Sequence, residues 1–164
     1  MFEALEALIR DYYGKPEEYI PLHEPVFIGN EKKYLEDCVE STFVSSVGQY
    51  VDRFSDALKA YTGAKYAIPV VNGTAALHLS LVIAGVKEND EIITQPLTFI
   101  ATANAISYLK ENPVFLDVDM KSMGLCPEKL ESFLKKETSV KNGKVINKNT
   151  GNVIKACVPM HSFG

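Results

Sequence analysis

At 164 residues, 46% hydrophobic and 23% charged, the chain has the length and composition of a folded domain with a substantial core, which excludes intrinsic disorder. Its net charge of −4 excludes a global positive field that would draw it to nucleic acid or to anionic lipid, so neither is expected as a partner. Glu3 and Glu6 break the apolar pattern of Met1 to Arg10 and no later apolar run approaches a bilayer's thickness, so a signal peptide and a membrane span are not expected and the expected location is cytoplasmic.

Phe2, Leu5, Leu8, Ile9 and Tyr12 recur at helical spacing and predict an amphipathic helix ending near Gly14 and Pro16, so residues 1–19 read as a helical lead-in to a domain covering 20–164. An extended stretch from Ile20 to Ile28 follows. Gly29-Asn30-Glu31 opens a second helix with Tyr34, Leu35, Cys38 and Val39 on its apolar face. After a polar loop from Thr42 to Gly48, a third helix is predicted from Gln49 to Tyr61 and closed by Thr62-Gly63.

From Tyr66 onward the pattern alternates. Apolar runs at Tyr66–Val71, Glu91–Thr94, Pro113–Val118 and Val153–Met160 read as strands, and Thr74–Ala84, Ile100–Leu109 and the segment opened by Pro127-Glu128 read as helices. Parallel strands require crossovers of this length, so the expected fold is α/β, a mostly parallel sheet with crossover helices. Lys136 to Asn152, rich in Lys, Asn and Gly, predicts a solvated turn or small hairpin. The chain stops at His161-Ser162-Phe163-Gly164, directly after an apolar strand. That strand is expected to be left at an open sheet edge without a covering helix, which is the mark of an incomplete domain.

Three stretches bear on chemistry. In Val70-Val71-Asn72-Gly73-Thr74-Ala75, a strand turns through glycine into a helix, so backbone N–H groups, the helix dipole and the Thr74 hydroxyl together suit a phosphate. A plain helix cap at Asn72 or Thr74 is the commoner use of such a turn, and spacing does not separate the two. In Thr94-Gln95-Pro96-Leu97-Thr98-Phe99 a strand end leads into a helix, where open α/β sheets bind ligands. Phe99 suits stacking on a planar heterocycle, although an aromatic at a helix start is more often core. Asp117 and Asp119 after the third apolar run read as turn formers. His23, His78 and His161 are scattered without a triad pattern, and His161 is the best placed, at a strand end. Cys38, Cys126 and Cys157 lack metal-ligand spacing, so no metal is expected. No G-x-G-x-x-G follows a strand, which sets aside a dinucleotide-binding dehydrogenase.

Several motifs occur together and in order: Pro21-Leu22-His23-Glu24-Pro25, Gly29-Asn30-Glu31, Phe43-Val44-Ser45-Ser46-Val47-Gly48, Asn72-Gly73-Thr74-Ala75-Ala76-Leu77, Thr98-Phe99-Ile100-Ala101-Thr102 and Pro113 to Asp119. From Ile20 to Gly164 the chain resembles the DegT/DnrJ/EryC1/StrS family of pyridoxal-phosphate (PLP) sugar aminotransferases, and most of all members that aminate nucleotide-linked 4-keto-6-deoxysugars of the bacillosamine, legionaminic acid and perosamine type. The resemblance implies a fold type I large domain, of which this is the N-terminal part. It also implies PLP held by Gly73, Thr74 and Ala75 and stacked on Phe99, a sugar nucleotide near Ser45 and Ser46, an amino-acid donor such as glutamate, and a homodimer.

Transamination needs a lysine to form a Schiff base with the cofactor and an acid beside the pyridine nitrogen. The resemblance places both downstream of Pro159 to Gly164. The lysines present sit on helix faces and polar turns or flank strands, so no catalytic residue is assigned within this chain, which is expected to bind PLP weakly and to be inactive alone. The competing expectation is a non-catalytic phosphate-binding, nucleotide-binding or interaction fragment.

Overall fold

The computed structural model describes residues 2–21 and 23–162, so Leu22 of the extended stretch and the terminal Phe163-Gly164 lie outside it. The chain divides into two compact units, residues 1–67 and residues 68–164.

The first unit carries three helices, α1 (Glu3–Tyr13), α2 (Glu31–Glu40) and α3 (Gln49–Thr62), close to their predicted bounds. Local signals set the ends of α3. Its N-cap, Gly48, has φ 155° and ψ 161°, which a side chain rarely tolerates, and its C-cap, Gly63, sits in the left-handed region with its N–H on the Lys59 carbonyl. The Tyr50 hydroxyl donates to the Asp37 carboxylate at 2.6 Å, and the Arg53 guanidinium lies 5.0 Å from the ring centres of both Tyr34 and Tyr50. These polar and aromatic contacts join α2 to α3. The apolar faces read from periodicity are real but open: Leu35, Phe54 and Tyr61 are all exposed.

The second unit holds α4 (Gly73–Ile83), β1 (Asp90–Thr94), α5 (Ile100–Ser107), β2 (Asn112–Phe115), α6 (Pro127–Lys136), β3 (Thr138–Lys141), β4 (Lys144–Asn147) and β5 (Val153–Cys157). The strands form one sheet in the order β2-β1-β5-β4-β3. β1 pairs in parallel with both β2 and β5, while the β3–β4 hairpin joins antiparallel through β4. The sheet is thus mixed, and its β2-β1-β5 half is parallel, as expected. Ile92 of β1, Leu81 of α4 and Ala105 and Ile106 of α5 form the buried core, flanked by Leu77, Val86, Leu109, Ala156 and Val158. Complete burial of Ile92 and of Ile106 is worth about 2 kcal/mol each.

Two expectations are corrected. Tyr66–Val71 is not a strand: a strand exists through its ladder, Pro69 lacks a donor, and no described strand hydrogen-bonds to the segment, leaving Ile68 and Val71 exposed. The last strand, β5, is not at an open edge, because it sits between β1 and β4. The hairpin between Lys136 and Asn152 is present, but it does more than make a solvated turn: β4 continues the sheet and carries the buried Asn147.

Candidate functional site

Topology brings the candidate cofactor residues of the second unit to one end of the sheet. α4 leads into the start of β1, and α5 leads into the start of β2, whose Asn112 stands in register with Glu91 of β1. Both helices therefore descend to the N-terminal ends of the parallel strands, and both begin at the C-terminal ends, where α/β sheets receive ligands. Contacts along the pair agree. His78 Nδ1 lies 3.4 Å from the Ala105 carbonyl, and the His78 ring meets the Tyr108 ring edge-on at 5.9 Å.

At the start of α4, Asn72 is the N-cap. Its extended backbone lets Oδ1 accept from Ala75 N–H at 2.9 Å, and its carbonyl accepts from Ala76 N–H at 3.1 Å. The cap reading from sequence is therefore correct, but it accounts for only part of the turn. Neither the Gly73 nor the Thr74 N–H has an acceptor among the described residues, and the Thr74 hydroxyl is equally unengaged. Helices α1, α2, α3 and α6 each carry Glu or Asp in the first turn, whereas α4, like α5, carries none, so its positive dipole end is unneutralised. A Cβ placed on Gly73 would meet nothing within 4 Å. The turn is open to an anion and offers it two N–H groups and a hydroxyl.

Phe99, the residue before α5, is 71% exposed, so its ring is available to a ligand and is not core. The loop that carries it is fixed by residues that periodicity does not single out. Gln95 is fully buried and bonds to Leu97, Met123 and Met160, while Thr94 Oγ1 donates to the Val158 carbonyl at 2.8 Å. From sequence, Gln95 has no assigned role, and a glutamine closing an apolar run just before proline is the one local signal that could have found it. Asp119 organises the turn after β2. The Ser122 and Lys121 backbone N–H groups and the Ser122 hydroxyl hold its carboxyl below the usual aspartate range, in keeping with its reading as a turn former.

Lys155 of β5 directs Nζ toward Gly85, which follows α4 at the opposite end of the strands, and Lys121 is exposed. The residues present fit the phosphate and the ring of PLP, and the amine that would carry the cofactor is not among them.

In the first unit, Ser45 lines a cleft of about 680 Å³ with Leu35, Val39, Phe43, Val44 and Val51, and Ser46 is not among its lining residues. Ser45 Oγ accepts from the Val47 N–H at 3.4 Å. The cleft is mainly apolar, with Ser41, Gln49, Tyr50 and Asp52 adding polar groups to its lining.

The sequence profile of the DegT/DnrJ/EryC1/StrS aminotransferase family matches residues 26–164. The chain belongs to that family. It is 38% identical over 121 residues to the GDP-perosamine synthase of Escherichia coli O157:H7, covering 74% of this chain and 33% of that protein. It is 37% identical over 145 residues to the GDP-perosamine synthase of Caulobacter vibrioides, covering 88% of this chain and 35% of that protein. Among solved structures, the aminotransferase from Psychrobacter cryohalolentis superposes with a TM-score of 0.63 at 30% identity, over 70% of this chain and 29% of that one. The chain thus spans about a third of the length of the curated relatives it matches. Among the described residues, no helix is long and apolar enough to cross a membrane, and no three His, Cys, Asp or Glu side chains group to hold a metal ion.

Proposed function

We propose that residues 20–164 are the N-terminal part of the PLP-binding large domain of a sugar-nucleotide aminotransferase, with residues 1–19 as a lead-in. The whole enzyme would convert a nucleotide-linked 4-keto-6-deoxysugar to the 4-amino sugar, taking the amino group from an amino acid such as glutamate, for surface polysaccharide or glycan synthesis. One observation carries this reading: in a member of this family, the unneutralised, donor-bearing start of α4 and the exposed Phe99 ring stand at the same end of the sheet. The relatives named GDP-perosamine synthase support the nucleotide-sugar class.

Gly73 and Thr74 would hold the phosphate through their N–H groups and the Thr74 hydroxyl, with Ala75 completing the turn, and Phe99 would bear on the ring. When bound, PLP supplies the electron sink that an amino-group transfer needs. Ser45 and Ser46 would face the sugar nucleotide. The apolar cleft beside Ser45 supports a surface covered in the assembled enzyme, and the reading assigns that cover to the second copy of a homodimer. A cytoplasmic location belongs to the same reading. On this reading the Schiff-base lysine is not one of the residues assigned here, and the chain alone would not transaminate.

Titration of the chain with PLP, followed by cofactor absorbance and by tyrosine fluorescence, tests the site. Weak, saturable binding that inorganic phosphate competes away is expected, with Thr74→Ala and Phe99→Ala each weakening it several-fold. Binding indifferent to phosphate and to both substitutions would sink the assignment.

A further inference from the structure

We propose that Gln95 is a positioning residue: its carboxamide ties the loops at the C-terminal ends of β1, β2 and β5 together and thereby sets the Phe99 ring for a planar heteroaromatic ligand. The ligand half of this inference rests on the cofactor reading above, and the lock itself does not.

Nε2 donates to the Leu97 carbonyl at 2.9 Å and to the Met123 carbonyl at 3.1 Å, and Oε1 accepts from the Met160 N–H at 3.2 Å. Both donors and the acceptor are used, and the three partners belong to three loops: the one entering α5, the turn after β2, and the segment leaving β5. Ser162 Oγ donates to the same Met123 carbonyl at 2.9 Å, so the β5 segment is held at two points. The partners also fix the amide's orientation, because Leu97 and Met123 offer only acceptors and Met160 offers only a donor. Gln95 is entirely buried, so water cannot substitute for a lost partner. A carboxylate would set oxygens against two carbonyls, and an apolar side chain would leave all three backbone groups unpaired.

The consequence for Phe99 follows from its exposure. A ring that is 71% exposed is placed by its backbone more than by packing. That backbone is held by Gln95 at Leu97, by the 3.0 Å bond from Thr98 N–H to the Pro96 carbonyl, and by the Thr98–Thr102 hydroxyl pair at 2.9 Å. Thr102 N–H donates to the Phe99 carbonyl at 3.0 Å, so the Thr102 contacts tie the segment to α5, while Gln95 ties it to the turn after β2 and to the segment leaving β5.

Three measurements on the full chain decide the matter. In the unliganded wild type, the Gln95 side-chain N–H protons are expected to exchange slowly by NMR. Exchange as fast as that of the exposed Gln49 overturns the lock without any variant. In Gln95→Glu, and in Gln95→Met should the first not fold, the signals of Leu97, the Phe99 ring, Met160 and Ser162 are expected to move together while the Gly73–Ala75 amides stay in place. Unmoved Phe99 signals overturn the proposal. With PLP, either variant is expected to lose up to about tenfold in affinity, the scale of one aromatic contact, while affinity for inorganic phosphate changes less than about twofold. Adding Phe99→Ala should cause no further loss, and fully additive losses would show that Gln95 does not act through Phe99. A wild type that binds no PLP but shows the coupled shifts refutes the cofactor reading and leaves the positioning role standing.

Discussion

The Glu91 carboxylate, buried at the start of β1, accepts a 2.7 Å hydrogen bond from Asn147 Nδ2 at the end of β4, two strands away. Asn152 Nδ2 supplies a second, longer bond at 3.3 Å to the other oxygen. A buried carboxylate must have donors, and here they come from the hairpin and from the residue that leads into β5. Asn147→Ala is therefore expected to lower stability by about 2 kcal/mol in urea unfolding, since it strips the shorter donor from a charged acceptor. Asn152→Ala should cost less.

Glu111 is the opposite case. It is 5% exposed, and Oε1 has no partner among the described residues. Burial raises its carboxyl pKa above the usual range, the Asn89 backbone N–H works against that, and Asp90 and Glu88 add to it. The native state then binds a proton that the unfolded chain has already released, so stability is greatest below the ordinary glutamate pKa and falls as pH rises through the raised value. Glu111→Gln is expected to flatten that part of the pH–stability curve and to exceed the wild type in stability at neutral pH. Thermal unfolding from acid to neutral pH checks both.

In the first unit, the bond from Tyr50 to Asp37 raises the phenol pKa to about 12, with burial and the aspartate charge acting in the same direction. The native state keeps a proton that a free tyrosine loses nearer 10, so this contact is intact below that pH and is lost as pH rises toward the shifted value. Phenolate absorbance should show one tyrosine titrating late. Asp37→Asn should bring it back toward the rest.

Asn72 serves a cap and a candidate site at once. Asn72→Ala removes the acceptor for Ala75 N–H and is expected to cost about 1 kcal/mol in unfolding. Asn72→Asp keeps the cap but puts a negative charge beside Gly73 and Thr74. It should hold stability and weaken the binding of inorganic phosphate, a split that equilibrium unfolding and phosphate titration read separately.

Most elements were legible because their signals are local. The apolar stripe of α3 with Gly63, the Pro127-Glu128 opening of α6, and Asn142-Gly143 in the β3–β4 turn each state their structure within a few residues. Tyr66–Val71 has strand-like composition, but pairing is a property of two segments, and composition describes one. The place of β5 was misread for the same reason. At the candidate site, the Gly73-Thr74 turn was visible as an alternative to a cap, and the free N–H groups are what the structure adds. Gln95 stayed hidden because a buried amide is recognised by its partners, which lie 28 and 65 residues away at Met123 and Met160.

The central position of β5 also orders events in time. β1 meets β2 across roughly twenty residues of chain but meets β5 across roughly sixty, a longer loop to close. As the polypeptide leaves the ribosome, β1, α5 and β2 are available to associate while the other side of β1 stays vacant. The β3–β4 hairpin, though made earlier than β5, joins the sheet only through it. Until Cys157 has emerged, a nascent chain therefore carries a ready hairpin and an open strand edge, and β5 is the strand that keeps either from pairing with a neighbouring copy.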